Sequence, residues 1–123
     1  VCEENNVSGL IATNTTTSPK TLKKQISFEG GLSGKPLFKQ SNKILKLLAK
    51  RKNASTVLIG VGGILSASDI YEKIRIGASA VQIYTGFVYN GPMHINKMEN
   101  ELKNLLLNDG YSSIDGAVGS LIR

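Results

Sequence analysis

Two short glycine-containing segments each follow an apolar run and could hold a phosphate group. They are residues 60–63 (GVGG) and 84–86 (YTG). Glycine lets backbone N–H groups come close to an anion, and hydroxyl side chains donate further hydrogen bonds. We expect the helix after GVGG to begin within a few residues and to turn its positive end toward the same anion. Residues 30–36 (GGLSGKP) add a turn-rich stretch with exposed backbone N–H groups.

The glycine pair in GVGG allows a second interpretation, because adjacent glycines also serve a tight turn between a strand and a helix. The YTG segment at the end of the next apolar run favours the phosphate interpretation. Two such consecutive strand–helix units resemble the phosphate site after strands seven and eight of many (β/α)₈ barrels.

Asn14 stands between two threonines, Thr13 and Thr15, directly after an apolar run. An amide offers both a donor and an acceptor, and the hydroxyls offer more. This trio suits a planar heterocycle with alternating amide and carbonyl edges. A local turn that closes the preceding strand explains the same residues without any ligand, so both interpretations stay open.

The elements that must position these residues alternate along the chain. Continuous apolar runs predict strands at 7–13, 55–63 and 79–86, and helical periodicity predicts helices at 36–53, 66–77 and 95–109, with a long loop at 14–36. Ser66 and Asp69 have the spacing of a capping box, and Gly77 marks the end of that helix. This order predicts an α/β fold whose parallel strands are buried on both faces, with their polar carboxyl ends meeting at one edge.

The composition argues against several other classes of protein. The 123 residues suffice for one domain, and the net charge is +6. Four lysines lie at helical spacing opposite an apolar face, as on a solvated helix, and aromatic residues are not interleaved with them, so we expect no nucleic-acid partner. These lysines are Lys39, Lys43, Lys46 and Lys50. The longest uncharged apolar stretch, 57–65, is too short to span a bilayer.

No cluster of residues predicts a metal site or a catalytic acid–base pair. Cys2 is the single cysteine, which excludes an internal disulfide, and we interpret it as a small buried or frayed thiol. His94 is the single histidine, and we expect it on the surface at the start of the last helix. The carboxylates fall on helix faces or in a loop and do not form a pair.

Taken in order, the motifs resemble the C-terminal part of the dihydroorotate dehydrogenases. The segments TNTT, GGLSGKPL, GVGGI, GASAVQIYT and NGPMHINKMENEL carry the resemblance, which runs from about Gly9 to the C-terminus. The form GGLSGKPL is similar to the quinone-linked class 2 branch. Other FMN barrels and the sugar-phosphate isomerase barrels of histidine synthesis share GVGGI, but they lack TNTT followed by GGLSGKP.

The resemblance implies FMN as cofactor and dihydroorotate and orotate as ligands. It implies that Thr13 touches the flavin and that Asn14 and Thr15 hydrogen-bond the pyrimidine. It implies that four further residues surround the FMN phosphate: Gly34, Gly63, Tyr84 and Thr85. The implied activity is the oxidation of dihydroorotate to orotate, with a quinone as acceptor, in pyrimidine (UMP) biosynthesis.

The resemblance also implies that residues 1–123 are the C-terminal part of one FMN-binding domain, about strands 6 to 8 of a TIM (β/α)₈ barrel. We then expect the catalytic base before Val1, a serine in class 2 and a cysteine in class 1. The quinone site and the membrane-docking region are expected there too. The implied location is the mitochondrial inner membrane or, alternatively, the bacterial cytoplasmic membrane. The 123-residue chain alone should be poorly stable, bind FMN weakly or not at all, and lack turnover; a non-catalytic chain that only engages a partner is the alternative.

Overall fold

The fold is built on a three-stranded parallel sheet, as expected from the alternating strands and helices. The computed structural model describes residues 4–18 and 29–122. Its elements in chain order are β1 (Gly9–Ala12), a 3₁₀ helix (Lys35–Leu37), α1 (Phe38–Arg51), β2 (Val57–Val61), α2 (Ala67–Ile76), β3 (Ala80–Gln82), α3 (Thr85–Asn90), α4 (Met93–Asn108) and α5 (Ile114–Ala117). The strand order is β1-β2-β3, with Gly9 opposite Val57 and Ile59 opposite Ala80.

Helices cover only one face of this sheet. Leu10 and Leu58 pack into the helix-covered core, whereas Ile11 and Val57, which alternate with them, are 61% and 45% exposed. The expectation that the strands are buried on both faces is therefore wrong for the described residues. The strands follow one another in a single direction, and parallel crossovers share one hand, so successive helices stay on the same side.

The core consists of two clusters that meet at α2. One contains Leu45 of α1 and Leu58 of β2, both fully buried. The other joins α2 to α4 and includes Ile74 and Met98. Because α2 lies between α1 and α4, it is buried on two sides, and polar residues on its α1 side are buried together with its apolar ones.

Both ends of α2 are satisfied by hydrogen bonds. The predicted capping box is confirmed, since the Ser66 hydroxyl accepts from the Asp69 N–H at 3.3 Å and the Asp69 carboxylate accepts from the Ser66 N–H at 3.2 Å. At the other end Gly77 follows the last helical residue, as predicted. The C-terminal segment also closes this end, because the Gly119 N–H donates to the Ile74 carbonyl at 3.1 Å.

Several predicted boundaries are wrong. The third strand ends at Gln82, and the residues predicted to extend it enter α3. Gly86 lets α3 approach the loop after β2, because a Cβ there would collide with the carbonyl oxygen of Ile64. The helix predicted from Pro36 begins with the 3₁₀ helix and becomes α-helical at Phe38. Cys2 and residues 19–28 of the predicted loop lie outside the described residues.

The glycine pair after β2 yields a prediction about stability. Gly63 has φ +77°, and a Cβ on it would lie 2.5 Å from the Phe38 Cα. We expect Gly63→Ala to lower the free energy of unfolding by clearly more than the roughly 1–2 kcal/mol that a left-handed alanine costs. Gly110→Ala is the matched control, since Gly110 has φ +81° with nothing within 4 Å of its Cβ position. Urea unfolding of the full-length variants measures both, and equal losses would contradict the packing argument.

Candidate functional site

A cavity of about 210 Å³ lies at the carboxyl ends of the three strands. Residues after each strand and from the segment before α1 line it. All seven residues predicted to form the site are among them: Thr13, Asn14, Thr15, Gly34, Gly63, Tyr84 and Thr85. The structure therefore brings together segments that are up to 72 positions apart in sequence (85 − 13). The role of each residue toward a ligand stays a prediction.

Backbone contacts hold the segment after β1 against the GGLSGKP segment. Thr16 and Leu32 form an isolated antiparallel bridge, with N···O distances of 3.1 and 2.8 Å. A Cβ on Gly31 would collide with the Thr15 side chain. The second glycine of GGLSG is therefore required by the close approach of Thr15, and any side chain there would displace one of the predicted substrate residues.

The Val61 carbonyl joins the end of β2 to the end of β1. It accepts a hydrogen bond from the Thr13 N–H at 3.2 Å and a second one from the Ser41 hydroxyl of α1. Thr13 also carries the buried Oγ1 atom for which the described residues provide no hydrogen-bond partner. A buried hydroxyl without a partner costs free energy, so this atom is poised to bond a ligand in the cavity.

Asn14 makes a bond to the next residue and not the bond two residues on that defines the turn in one of its two interpretations. Its Oδ1 accepts from the Thr15 N–H at 2.7 Å. Within the described ranges its Nδ2 donates to no other residue, and the side chain is exposed at the cavity. The bond to the Thr15 N–H thus orients the amide, and both amide N–H groups stay available to a ligand.

The glycines around the cavity serve close packing. Gly34 has φ +76°, and a Cβ on it would lie 3.2 Å from the Thr85 Cγ2. The Thr85 hydroxyl donates to the Ser33 Oγ at 3.1 Å, which fastens this loop to the start of α3. A Cβ on Gly62 would lie 3.0 Å from Leu37. The packing interpretation of GVGG is therefore correct, and the same backbone still lines the cavity.

The expectation that α2 turns its positive end toward the ligand is wrong. The carboxylate of Asp69 occupies that end, where it accepts from the Leu65 N–H at 3.0 Å and from the Lys35 ammonium at 2.8 and 3.0 Å. Burial raises the pKa of Asp69, but these hydrogen bonds outweigh it and hold the pKa below the ordinary value of 3.8. The cavity is lined instead by residues that start the 3₁₀ helix (Gly34), α1 (Leu37) and α3 (Tyr84 and Thr85).

The Lys35–Asp69 pair links the GGLSGKP segment to the loop after β2, and this predicts an effect on stability. We expect Asp69→Asn to lower the free energy of unfolding by about 1–3 kcal/mol at pH 7. Because the folded carboxyl has the lower pKa, this contribution is present above the unfolded value of 3.8 and is lost as the pH falls through the folded value. The difference from wild type should therefore shrink in acid.

Glu101→Gln is the control for this experiment. Glu101 lies 3.9 Å from Lys97 in an exposed pair on α4. Such pairs contribute at most about 1 kcal/mol, so this variant should unfold nearly like wild type in urea titrations at each pH. If Asp69→Asn lowered the free energy of unfolding at pH 7 as little as Glu101→Gln does, this would contradict the stabilising role of the Lys35–Asp69 pair.

Lys73 of α2 is fully buried and was not singled out by the sequence. Its ammonium donates to the Ser41 Oγ at 2.8 Å and to the Asn42 Oδ1 at 2.7 Å. It also lies 5.2 Å from the centre of the Phe38 ring. Burial lowers the pKa of Lys73 from 10.5 to about 8, although Glu72 and Asp69 act in the opposite direction.

The lowered pKa of Lys73 predicts that the free energy of unfolding depends on pH. Between pH 8 and 10 the unfolded chain holds a proton on this lysine that the folded chain has released, so the free energy of unfolding should rise with pH. One proton contributes at most about 1.4 kcal/mol per pH unit. Burial raises the pKa of Tyr71 to about 12, with Asp109 adding to the shift, so above pH 10 this group works in the opposite direction.

Urea unfolding of the full-length protein from pH 8 to 10 measures this effect against Lys73→Met, which should lack it. Lys46→Met replaces an exposed lysine of α1 and should keep the wild-type slope. Parallel curves for wild type and Lys73→Met would contradict the assignment.

His94 differs from its expected surface role. It is half-buried at the start of α4, and its Nε2 lies 2.8 Å from the Leu65 carbonyl oxygen. This bond ties α4 to the loop after β2. The lysines Lys39, Lys43, Lys46 and Lys50 are exposed on α1, as expected for a solvated face.

Sequence reasoning missed Ser33 and Gln82, which also line the cavity. Ser33 lies inside GGLSGKP, and Gln82 lies two residues before YTG. Their closeness in sequence to these motifs, and not their residue type, could have indicated them. Within residues 4–18 and 29–122, no group of three or more His, Cys, Asp or Glu could hold a metal ion. In the same part of the chain no helix is long and apolar enough to cross a membrane.

The fold and the cavity define an α/β protein with a ligand site at the carboxyl ends of parallel strands. A family model of dihydroorotate dehydrogenase matches residues 1–106. The chain is 46% identical over 114 residues to the dihydroorotate dehydrogenase (quinone) of Acidithiobacillus ferrooxidans, covering 93% of this chain and 31% of that protein. The corresponding protein of Haloarcula marismortui is 44% identical over 119 residues, covering 95% and 33%.

A crystal structure of ligand-free dihydroorotate dehydrogenase from Eimeria tenella superposes with a TM-score of 0.91 and 37% sequence identity. The superposition covers 99% of this chain and 34% of that one. The chain therefore belongs to the dihydroorotate dehydrogenase family, as its motifs indicated. It spans between 31% and 34% of the length of these relatives.

Proposed function

We propose that the full-length protein binds FMN in the cavity at the strand ends and oxidises dihydroorotate to orotate with a quinone as acceptor. The observation that carries this proposal is the convergence of all seven motif-derived residues on one cavity. Family membership supports the same chemistry, because the curated relatives named above are quinone-linked dihydroorotate dehydrogenases.

The residues present fit a phosphate-bearing flavin. The buried Thr13 Oγ1 lacks a partner among the described residues, and Thr13 lines the cavity. Gly34, Gly63 and Thr85 also line the cavity, where small residues would admit a phosphate. In the proposed arrangement Thr13 contacts the flavin, and the four residues Gly34, Gly63, Tyr84 and Thr85 surround its phosphate.

When bound, FMN supplies a two-electron acceptor for the hydride that leaves the substrate. This chain's own part is to bind and to orient. The amide of Asn14 is fixed by its hydrogen bond from the Thr15 N–H, so its two N–H donors face one direction. In the proposal these donors and the Thr15 hydroxyl hold the carbonyl edge of the pyrimidine ring. Holding the two rings in a fixed mutual orientation accelerates the transfer.

We further propose that residues 1–123 belong to a single (β/α)₈ barrel domain, as its last three strand–helix units. The exposed face of the sheet, with Ile11 and Val57, supports this, since a complete barrel would enclose it. The base and the quinone site would then lie in other parts of the protein. The two curated relatives named above are bacterial and archaeal, so they give no support to a mitochondrial location and favour the cytoplasmic membrane.

The substitution Asn14→Ala tests the substrate assignment in the full-length protein. Losing the hydrogen bonds of one amide should lower kcat/KM for dihydroorotate about 10- to 100-fold. Bound flavin, measured by its visible absorbance, should stay at the wild-type level. Asn53→Ala, in an exposed loop at the opposite end of β2, should change neither quantity. A flavin-loaded wild type that does not reduce quinone with dihydroorotate would overturn the proposed activity.

A further inference from the structure

A buried hydrogen-bond network runs from α2 through α1 to the cavity. Lys73 has two acceptors, and both lie on α1: the Ser41 hydroxyl oxygen and the Asn42 carbonyl oxygen. Ser41 and Lys73 are fully buried, and Asn42 is 7% exposed. A buried ammonium is costly to retain unless its donors are satisfied, so its position is defined closely by these two bonds.

The two acceptors lead in different directions. Ser41 donates a hydrogen bond from its hydroxyl to the Val61 carbonyl, which also accepts from the Thr13 N–H at the cavity. Asn42 instead donates through Nδ2 to the Glu72 carboxylate at 2.8 Å, on an exposed position of α2 away from the cavity. One arm therefore ends at the candidate site, and the other ends in solvent.

We propose that Lys73 is a positioning residue for the cofactor cavity, because it forces the Ser41 hydroxyl to donate to the Val61 carbonyl and so fixes Thr13 and the Gly62–Gly63 turn. An ammonium group has no lone pair, so Lys73 can donate a hydrogen bond to the Ser41 oxygen but cannot accept one from the Ser41 hydroxyl. The Ser41 hydroxyl proton is then free for Val61 alone. The Thr13 backbone hydrogen bond shares that carbonyl, which places the unpartnered Thr13 Oγ1 at the cavity wall. The inference rests on the proposed FMN site.

The charged groups near Lys73 do not provide a competing explanation. Glu72 and Asp69 lie on its own helix, and neither is within salt-bridge distance of its nitrogen among the described residues. Lys35 lies 4.9 Å from the centre of the same Phe38 ring and pairs with Asp69. The groups of α1 that contact its nitrogen are neutral, namely the Ser41 hydroxyl and the Asn42 amide oxygen, and Gly60 of β2 lies beside the aliphatic part of the lysine.

The network offers a matched pair of variants, Ser41→Ala and Asn42→Ala, in the full-length protein. Each removes one acceptor of Lys73, and thermal unfolding should show a loss of stability in both. Only Ser41→Ala cuts the arm to the cavity. We expect it to weaken FMN binding to the apoprotein about 10-fold, as for one lost positioning bond, whereas Asn42→Ala keeps the wild-type dissociation constant. Quenching of flavin fluorescence measures the constant.

A second readout needs no cofactor. In the apoprotein, hydrogen exchange of the Thr13 amide should be faster in Ser41→Ala than in wild type and unchanged in Asn42→Ala. Equal FMN constants for the two variants, or equal Thr13 exchange, would overturn the positioning role and leave a purely structural lysine. If wild type does not bind FMN but Thr13 exchange still differs between the two variants, the proposal of FMN as cofactor is wrong. The hydrogen-bonded connection from Lys73 to Thr13 is then still supported.

Discussion

The close approach of the Gly62–Gly63 backbone to the start of α1 is the contact on which the rest of the structure depends. No side chain fits between these glycines and Leu37 or Phe38, so the end of β2 rests directly on the 3₁₀ helix and α1. That contact brings Gly34, which precedes the 3₁₀ helix, to the same cavity as Gly63. The packing turn and the ligand cradle are therefore one feature, and the glycines are needed for both.

Two charged residues of α2, Asp69 and Lys73, hold segments that surround the cavity. Asp69 accepts from Lys35 and from the loop after β2, so it ties two cavity segments together from the outside. Lys73 lies beneath β2 and reaches the Val61 carbonyl through Ser41. Neither charge enters the cavity, since neither residue lines it. The helix serves the site by holding its walls, and its own dipole is satisfied by Asp69.

Local patterns predicted what depends on local physics. The capping box at Ser66 and Asp69 formed because its bonds lie within four residues of one another. The three strands and their parallel order followed from apolar runs separated by helices. The extension of β3 to Gly86 was wrong, and Gly86 instead packs closely against Ile64, 22 positions away (86 − 64), a contact that a local pattern does not contain. His94 was placed on the surface for the same reason, since its partner Leu65 is distant in sequence.

The sequence by itself determined the three parallel strands, the helices α1, α2 and α4, and the seven predicted residues that line the cavity, because parallel strands must end at a common edge and the motifs follow those ends. The sequence could not reveal that Lys73 is buried, because this lysine belongs to a charged stretch, EKIR, that is typical of a solvent-exposed helix face. Only the tertiary structure decided that α2 lies between α1 and α4, and this burial on two sides gave Lys73 its partners. Burial depends on which elements become neighbours, and periodicity within one helix does not contain that information.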